Sequence, residues 1–230
     1  MRVNKTTFPA AEIVPPSLLE PLDFLSVFGR VAPLEVDLGC GDGNLLAALA
    51  QENPERNFLG VERLLGRMRS ACRKIGQREL TNARVVRIDI LHAVQQLLAP
   101  QSVDVFHLMF PDPWPKRRHQ NRRVVTPEFL RAIGRALKPE SELRITTDQA
   151  DYFAEMRRLL LDLPGLFLQL AGEFEPGLPA STFGKRFREN GAEIYQLILR
   201  KLPGPLAPRR SNALPNARPL GRFGNSRSPQ

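Results

Sequence analysis

A short apolar run, Leu34–Leu38, stops at Gly39-Cys40-Gly41-Asp42-Gly43, and the chain resumes at Asn44–Glu52 with Leu45, Leu46 and Leu49 on one helical face. A strand that ends in a glycine turn and continues as a helix is a βα unit, and repeating it builds a parallel sheet covered on both faces. The repetition is present. Phe58–Val61 reads as a strand and Leu64–Ile75 as a helix with a cationic outer face. Arg84–Ile88 and the long apolar Val103–Met109 are further strands, the latter suited to a central, buried position. Thr126 as N-cap, Pro127 in the first turn and Glu128 as an early acid open a helix to Leu137, which Lys138-Pro139 closes. Glu142–Thr146 is the next strand, Gln149–Leu161 the next helix, and Leu166–Leu170 with Glu193–Arg200 a final strand pair. The order βαβαβαβαβαββ predicts an α/β fold, a doubly wound and mainly parallel sheet of seven strands.

Sheets of this kind bind ligands beyond the carboxyl ends of their strands. An acid lies near four successive ends. Asp37 and Asp42 flank the first turn, where Gly39 and Gly41 let a ligand approach the backbone. The spacing there is G-x-G-x-G, and Asn44 stands where a dinucleotide fingerprint has its last glycine. A pyrophosphate favours a helix start free of acids, whereas acids suit a cation such as an ammonium or a sulfonium. Glu62 follows about 20 residues later, the usual place for an acid holding ribose hydroxyls. Asp89 follows the third strand, where it can accept from an adenine amino group, and Asp112 follows the fourth between Pro111 and Pro113. Each acid has a plainer reading as a turn cap, a helix cap or a solvated side chain. Together they line one crevice.

Charge bears on the partner class, with solubility alone as the plainer reading. The 230 residues carry a net charge of +9, which points to a polyanion, nucleic acid first. Lys116, Arg117, Arg118, Arg122 and Arg123 place five cations in eight residues without an acid. Residues 203–230 hold five arginines, six prolines and no acid, and are expected to be a disordered tail. Residues 1–32 are expected as a loosely ordered extension, leaving 33–202 as the folded domain. No apolar run is long enough to span a membrane, and no secretory signal opens the chain. Cys40 and Cys72 build no disulfide framework, which makes a reducing, cytoplasmic setting the default. His92, His107 and His119 lack metal-ligand spacing, so no metal is expected.

Two segments carry a resemblance. Val36–Gly43, VDLGCGDG, resembles the first motif of class I S-adenosylmethionine-dependent methyltransferases. Phe110–Arg123, FPDPWPKRRHQNRR, is similar to the signature F-P-D-P-W-x-K-x-R-H-x-x-R-R of the bacterial tRNA (guanine-N7-)-methyltransferases, and Leu143–Asp148 fits their later strand and acid. The resemblance covers roughly residues 34–200. It implies a Rossmann-like class I methyltransferase domain, S-adenosyl-L-methionine as cofactor, and methylation of N7 of the variable-loop guanosine of tRNA, position 46, without an obligatory protein partner. Carried over by position, it implies cofactor contacts from Asp37, Gly39, Gly41, Glu62, Asp89 and Asp112, with Asp112 also at the catalytic centre. Lys116 and Asp148 fall on substrate-contacting positions. The family's T-x-[FY]-E segment falls on Ser181-Thr182-Phe183-Gly184, where glycine replaces the glutamate and Glu189 is the neighbouring acid.

Guanine N7 carries a free lone pair, so its methylation needs no general base, only alignment and electrostatics. A carboxylate such as Asp112 beside the base suits the cation that forms. Arg117, Arg118, Arg122 and Arg123 are expected on RNA phosphates, with His119 as a further phosphate contact. Trp114 has two readings, stacking on a base or packing. Two other functions compete: a noncatalytic RNA-binding protein on a methyltransferase fold, which Gly184 would favour, and a nicotinamide-dependent oxidoreductase, which the acids and Asn44 disfavour.

Overall fold

The computed structural model describes residues 11–170 and 193–204, the side chain of Arg117 excepted. In chain order the elements are β1 (Glu12–Ile13), α1 (Phe24–Phe28), β2 (Leu34–Leu38), α2 (Asn44–Glu52), β3 (Asn57–Val61), α3 (Leu65–Gln77) and β4 (Ala83–Val86). Next come α4 (Ile90–His92), which widens into a π-turn over Ala93–Leu97, β5 (Val103–Met109) and a 3-10 turn over Arg117–Arg122. The chain continues through α5 (Pro127–Ala136), β6 (Leu137–Thr147), α6 (Ala150–Leu161), β7 (Phe167–Leu170) and β8 (Tyr195–Lys201). One sheet forms in the order β1-β4-β3-β2-β5-β6-β8-β7. Strands β1 to β6 run parallel, and β8 lies antiparallel between β6 and β7. The order reverses between β2 and β5, and that switch point opens the crevice.

The pleat divides the sheet's apolar residues between two cores, with β3 and β4 contributing to both. Val36 and Leu38 of β2, Phe106 and Leu108 of β5 and Leu143 and Ile145 of β6 pack with Phe129 and Ile133 of α5 and Met156 of α6. The alternate residues Phe58 of β3 and Ala83 and Val85 of β4 meet Leu46 of α2 and Met68 and Ile75 of α3. All five residues of β2 are buried, Glu35 and Asp37 among them. Glu35 accepts a 2.7 Å bond from His107 on β5. Its other oxygen lies 2.6 Å from Arg56 Nε, an ion pair whose alignment falls short of a hydrogen bond.

The structure departs from the sequence reading in three places. Among the described residues the sheet has eight strands, because Glu12–Ile13, inside the expected extension, pairs along β4. Two residues are too few to show a period. Leu137 ends α5, with Thr126 capping its start at Phe129 N (3.1 Å), but Lys138-Pro139 does not lead into a loop. The chain enters β6 at once, and a bulge takes up the extra residues: Val103 pairs with Leu137, yet Val105 pairs with Glu142. Glu140 takes φ 63° there, and Lys138 Nζ is held by both Asp104 oxygens at 2.9 and 2.7 Å. Third, the link from β4 to β5 is the short helix and π-turn, whose carbonyls at Val94, Gln95 and Leu98 accept from Arg135 at 2.7, 3.1 and 2.7 Å. Among the described residues, no helix is long and apolar enough to cross a membrane.

Gly43, at φ 77°, sits where α2 meets α3. A Cβ on it would lie 2.5 Å from Ala71 Cβ and 2.8 Å from Ala71 Cα. Gly43→Ala is therefore expected to cost about 3 kcal/mol, combining left-handed strain with overpacking. Urea denaturation of the ligand-free protein measures it, and a loss near zero would contradict this packing.

Candidate active site

The site is built at the carboxyl ends of β4, β3, β2, β5 and β6. After β2 the chain turns through Gly39, Gly41 and Gly43, at φ 77°, 58° and 77°. Left-handed backbone at three alternate positions is the reason for three alternate glycines. The turn is sewn to the end of β3: Gly39 N and Cys40 N both donate to Val61 O, at 2.8 and 3.0 Å. Glu62 completes the seam. Its Oε2 accepts from Gly41 N at 3.0 Å, and its Oε1 accepts from Leu64 N at 2.7 Å, where α3 begins. Glu62 thus joins the glycine turn to the start of α3.

Asp37 and Glu62 are buried, at 4% and 6% exposure. Asp37 Oδ2 has no hydrogen-bond partner among the described residues. Burial first, and then the charge of Glu62, push the Asp37 carboxyl up to about 7. Burial, reinforced by Asp37 and Glu62, also pushes the Cys40 thiol up, which leaves it no nucleophilic role. Asp42 differs from both. It is half exposed, and Lys74 Nζ at 2.7 Å offsets its charge, with Asn44 Nδ2 at 3.1 Å. A buried acid with an orphaned oxygen at a glycine turn suits a cationic ligand.

Asp89 is exposed, and its Oδ1 caps α4 by accepting from Leu91 N at 2.9 Å and His92 N at 3.4 Å. Beyond β5 the backbone is strained. Phe110 takes φ 53° and Trp114 φ 43°. Such conformations cost about 1–3 kcal/mol each and collect at functional sites. Phe110 N is tied to Thr146 O of β6 at 2.8 Å. Between the two lie buried Pro111 and exposed Asp112, whose carboxylate has no hydrogen bond to a described residue. Asp148, half-buried beyond β6, accepts from Gln149 Nε2 at 2.9 Å. The strand order therefore sets Asp89, Glu62, Asp37 and Asp112 along one edge, as the alternation of strands and helices predicts, with Asp148, placed by the resemblance, at the end of the neighbouring β6.

The basic run divides. Lys116, Arg118 and Arg122 are exposed, and the side chain of Arg117 lies outside the described residues. Trp114 is half-buried with both partners local: Arg122 lies 5.0 Å over its ring and His119 meets its edge at 6.0 Å. Arg123 corrects the sequence expectation of an RNA contact. It is 4% exposed and turned inward. Its Nε donates to Pro113 O at 2.7 Å, its other nitrogens pair with Glu155 and, at 3.2 Å, Asp151, and the guanidinium lies 4.5 Å over Tyr152. A cation enclosed this way cannot reach a phosphate. The signal that could have revealed it is the acid–aromatic face Asp151, Tyr152 and Glu155 on α6. Ser181, Thr182, Phe183, Gly184 and Glu189 lie outside the described residues. Among the described residues, no cluster of His, Cys, Asp and Glu could hold a metal.

A family model described as "Putative methyltransferase" matches residues 31–197. The tRNA (guanine-N(7)-)-methyltransferase of Syntrophotalea carbinolica is 35% identical over 190 residues, 81% of this chain and 82% of that protein. The protein of the same name from Leifsonia xyli subsp. xyli is 40% identical over 190 residues, 79% and 82% of the two chains. Among solved structures, the 16S rRNA methyltransferase KamB shares the fold, with a TM-score of 0.58 at 17% identity over 80% of this chain and 95% of that one.

The titration of Asp37 has a stability consequence. Its carboxyl sits near 7 folded against an ordinary 3.8, so folding takes up a proton between those values and stability falls as pH rises through that window. The full cost, about 4 kcal/mol, is reached above pH 7. Asp37→Asn should therefore stabilise the ligand-free protein more at pH 8 than at pH 5. A gain in denaturation free energy that is no larger at pH 8 would contradict a buried, unpaired Asp37.

Proposed function

Because this chain belongs to the family of the tRNA (guanine-N(7)-)-methyltransferases, we propose that it transfers a methyl group from S-adenosyl-L-methionine to N7 of a guanosine in tRNA, in the variable loop at position 46. The observation that carries this reading is the meeting at one sheet edge of two unlike acids. Asp37 is buried with an orphaned oxygen in the glycine turn, and Asp112 is exposed on a strained turn at the neighbouring strand.

S-adenosylmethionine supplies a methyl group on a positively charged sulfur. Asp37 gives its cationic end a buried countercharge, restored to the ionised form by the ligand's own charge. Glu62 already accepts two backbone N–H bonds, but each carboxylate oxygen has a second lone pair, enough for a ribose hydroxyl. Asp89 can cap α4 with one oxygen and accept from adenine with the other. The turn at Gly39 and Gly41 leaves room: a Cβ at Gly39 would touch only Ile90 at 3.5 Å, and one at Gly41 would be nearest Gly39 O at 3.9 Å.

The guanine needs no base to free its N7 lone pair. The work left to the protein is alignment and stabilisation of the positive charge that develops on the purine. Asp112 supplies a carboxylate for that charge, and Asp148 a second contact to the base. Lys116, Arg118 and Arg122 take the tRNA phosphates, and Ser181, Thr182 and Phe183 are the further substrate segment. The partner is tRNA, no second protein subunit is needed, and the setting is the cytoplasm. The noncatalytic alternative is not favoured by relatives that are named as methyltransferases.

Purified protein, labelled S-adenosylmethionine and unmodified tRNA should place label at N7 of the variable-loop guanine. Asp112→Ala is expected to lower that rate at least about 100-fold at saturating cofactor; retained turnover would remove Asp112 from the chemistry. Arg118→Gln with Arg122→Gln should reduce the salt slope of tRNA binding by about 1 per lost phosphate contact. An unchanged slope would count against this loop as the RNA contact.

A further inference from the structure

We propose that Arg123 is a positioning residue for the reaction: its buried guanidinium, clamped by Asp151 and Glu155, fixes the Pro113 carbonyl and so aims the Asp112 carboxylate. The inference rests on the catalytic reading of Asp112. The segment that presents Asp112 has little to fasten it. Pro111, Pro113 and Pro115 have no N–H, which removes three of the backbone donors that could tie the turn down. Its backbone is left-handed at both aromatic ends, φ 53° at Phe110 and 43° at Trp114, and persists only if surrounding contacts over-determine it.

Beside the packing of Arg122 and His119 on Trp114, two hydrogen bonds to the turn's backbone do this on either side of Asp112. Upstream, Phe110 N donates to Thr146 O at 2.8 Å. Downstream, Arg123 Nε donates to Pro113 O at 2.7 Å. Asp112 lies between them with no hydrogen bond of its own to a described residue, so the direction of its carboxylate follows the backbone on either side.

The geometry around Arg123 needs a guanidinium. One edge of the fork meets Pro113 O, the other nitrogens meet Glu155 and Asp151, and the flat face lies on the Tyr152 ring. A lysine ammonium offers neither the planar fork nor the stacking face. The ring is fixed in turn, since Tyr152 Oη accepts from Val125 N at 3.2 Å. Both acids stand on α6, which follows Asp148 after one residue, Gln149. The clamp therefore couples the Asp112 turn after β5 to the Asp148 turn after β6.

The roles differ in what they move. A phosphate contact alters tRNA affinity and its salt slope, whereas a positioning residue alters kcat through Asp112 and leaves tRNA affinity alone. The test is single-turnover methyl transfer to tRNA by wild type, Arg123→Lys, Asp112→Asn and the double variant, with cofactor and tRNA affinities measured in parallel. Arg123→Lys is expected to slow transfer about 10- to 100-fold at saturating cofactor, with tRNA affinity within about twofold of wild type. In the Asp112→Asn background the same change should cost less than about twofold more, because the group it aims is gone. Factors that multiply in the double variant would mean a general structural role and overturn the proposal. So would a raised tRNA Kd with an unchanged transfer rate. Wild-type turnover in Asp112→Asn would overturn the catalytic reading and this proposal with it, whereas a slow Asp112→Asn beside a fast Arg123→Lys removes the positioning role alone. If Arg123→Lys does not fold, Glu155→Gln loosens the clamp from α6 and is expected to show the same loss of rate and the same non-additivity.

Discussion

Two carboxylates share the turn at the switch point of the sheet, and one hydrogen-bonded seam makes that arrangement tolerable. Glu62 accepts from Gly41 N and Leu64 N, so one charge is solvated by backbone while fastening the first βα turn to the second. Asp37 has no such compensation at Oδ2, and the fold carries its burial as an electrostatic cost. The remainder of the molecule supplies stability to offset it. Strands covered on both faces bury apolar side chains on two cores, each large side chain contributing about 1.5–3 kcal/mol. Placing the acids at the ends of such strands confines the unfavourable charge to the one edge where a ligand can relieve it.

The second turn, after β5, handles the opposite problem. Its acid is exposed, and the cost lies in backbone conformation. Prolines narrow what the unfolded chain can sample, which lowers the entropy lost on ordering. They also remove the donors that would otherwise tie the turn down. The contacts come instead from β6 and from the Arg123 clamp, so the rigidity of this region is borrowed from neighbouring elements.

Much of this was legible in the sequence. The strands β2 and β5 and the helix α2 match their expected bounds, because apolar period, glycines and caps agree locally. The row of acids followed from the topology alone, since parallel strands put all their carboxyl ends on one edge. What was not legible depended on distant residues. Arg123 reads as one more cation in a basic run, and only the fold brings Asp151 and Glu155 to it. The start of β6 was hidden because Lys138-Pro139 is as good a helix stop before a bulged strand as before a loop. The pairing of Glu12–Ile13 with β4 rests on an edge that needed covering, and no pattern in two residues could announce it.

That small strand bears on how the protein behaves in a crowded solution. The sheet's rims, among the described residues, are the two-residue β1 on one side and the four-residue β7 on the other. An open rim is a template on which a second chain can add a strand, and long, flat, apolar rims seed aggregates. Here the longer ladders all lie inside the sheet. A protein that leaves its apolar strands paired on both sides, and ends its sheet in short pieces, limits self-association through its backbone, and the large positive charge reinforces this by mutual repulsion between copies.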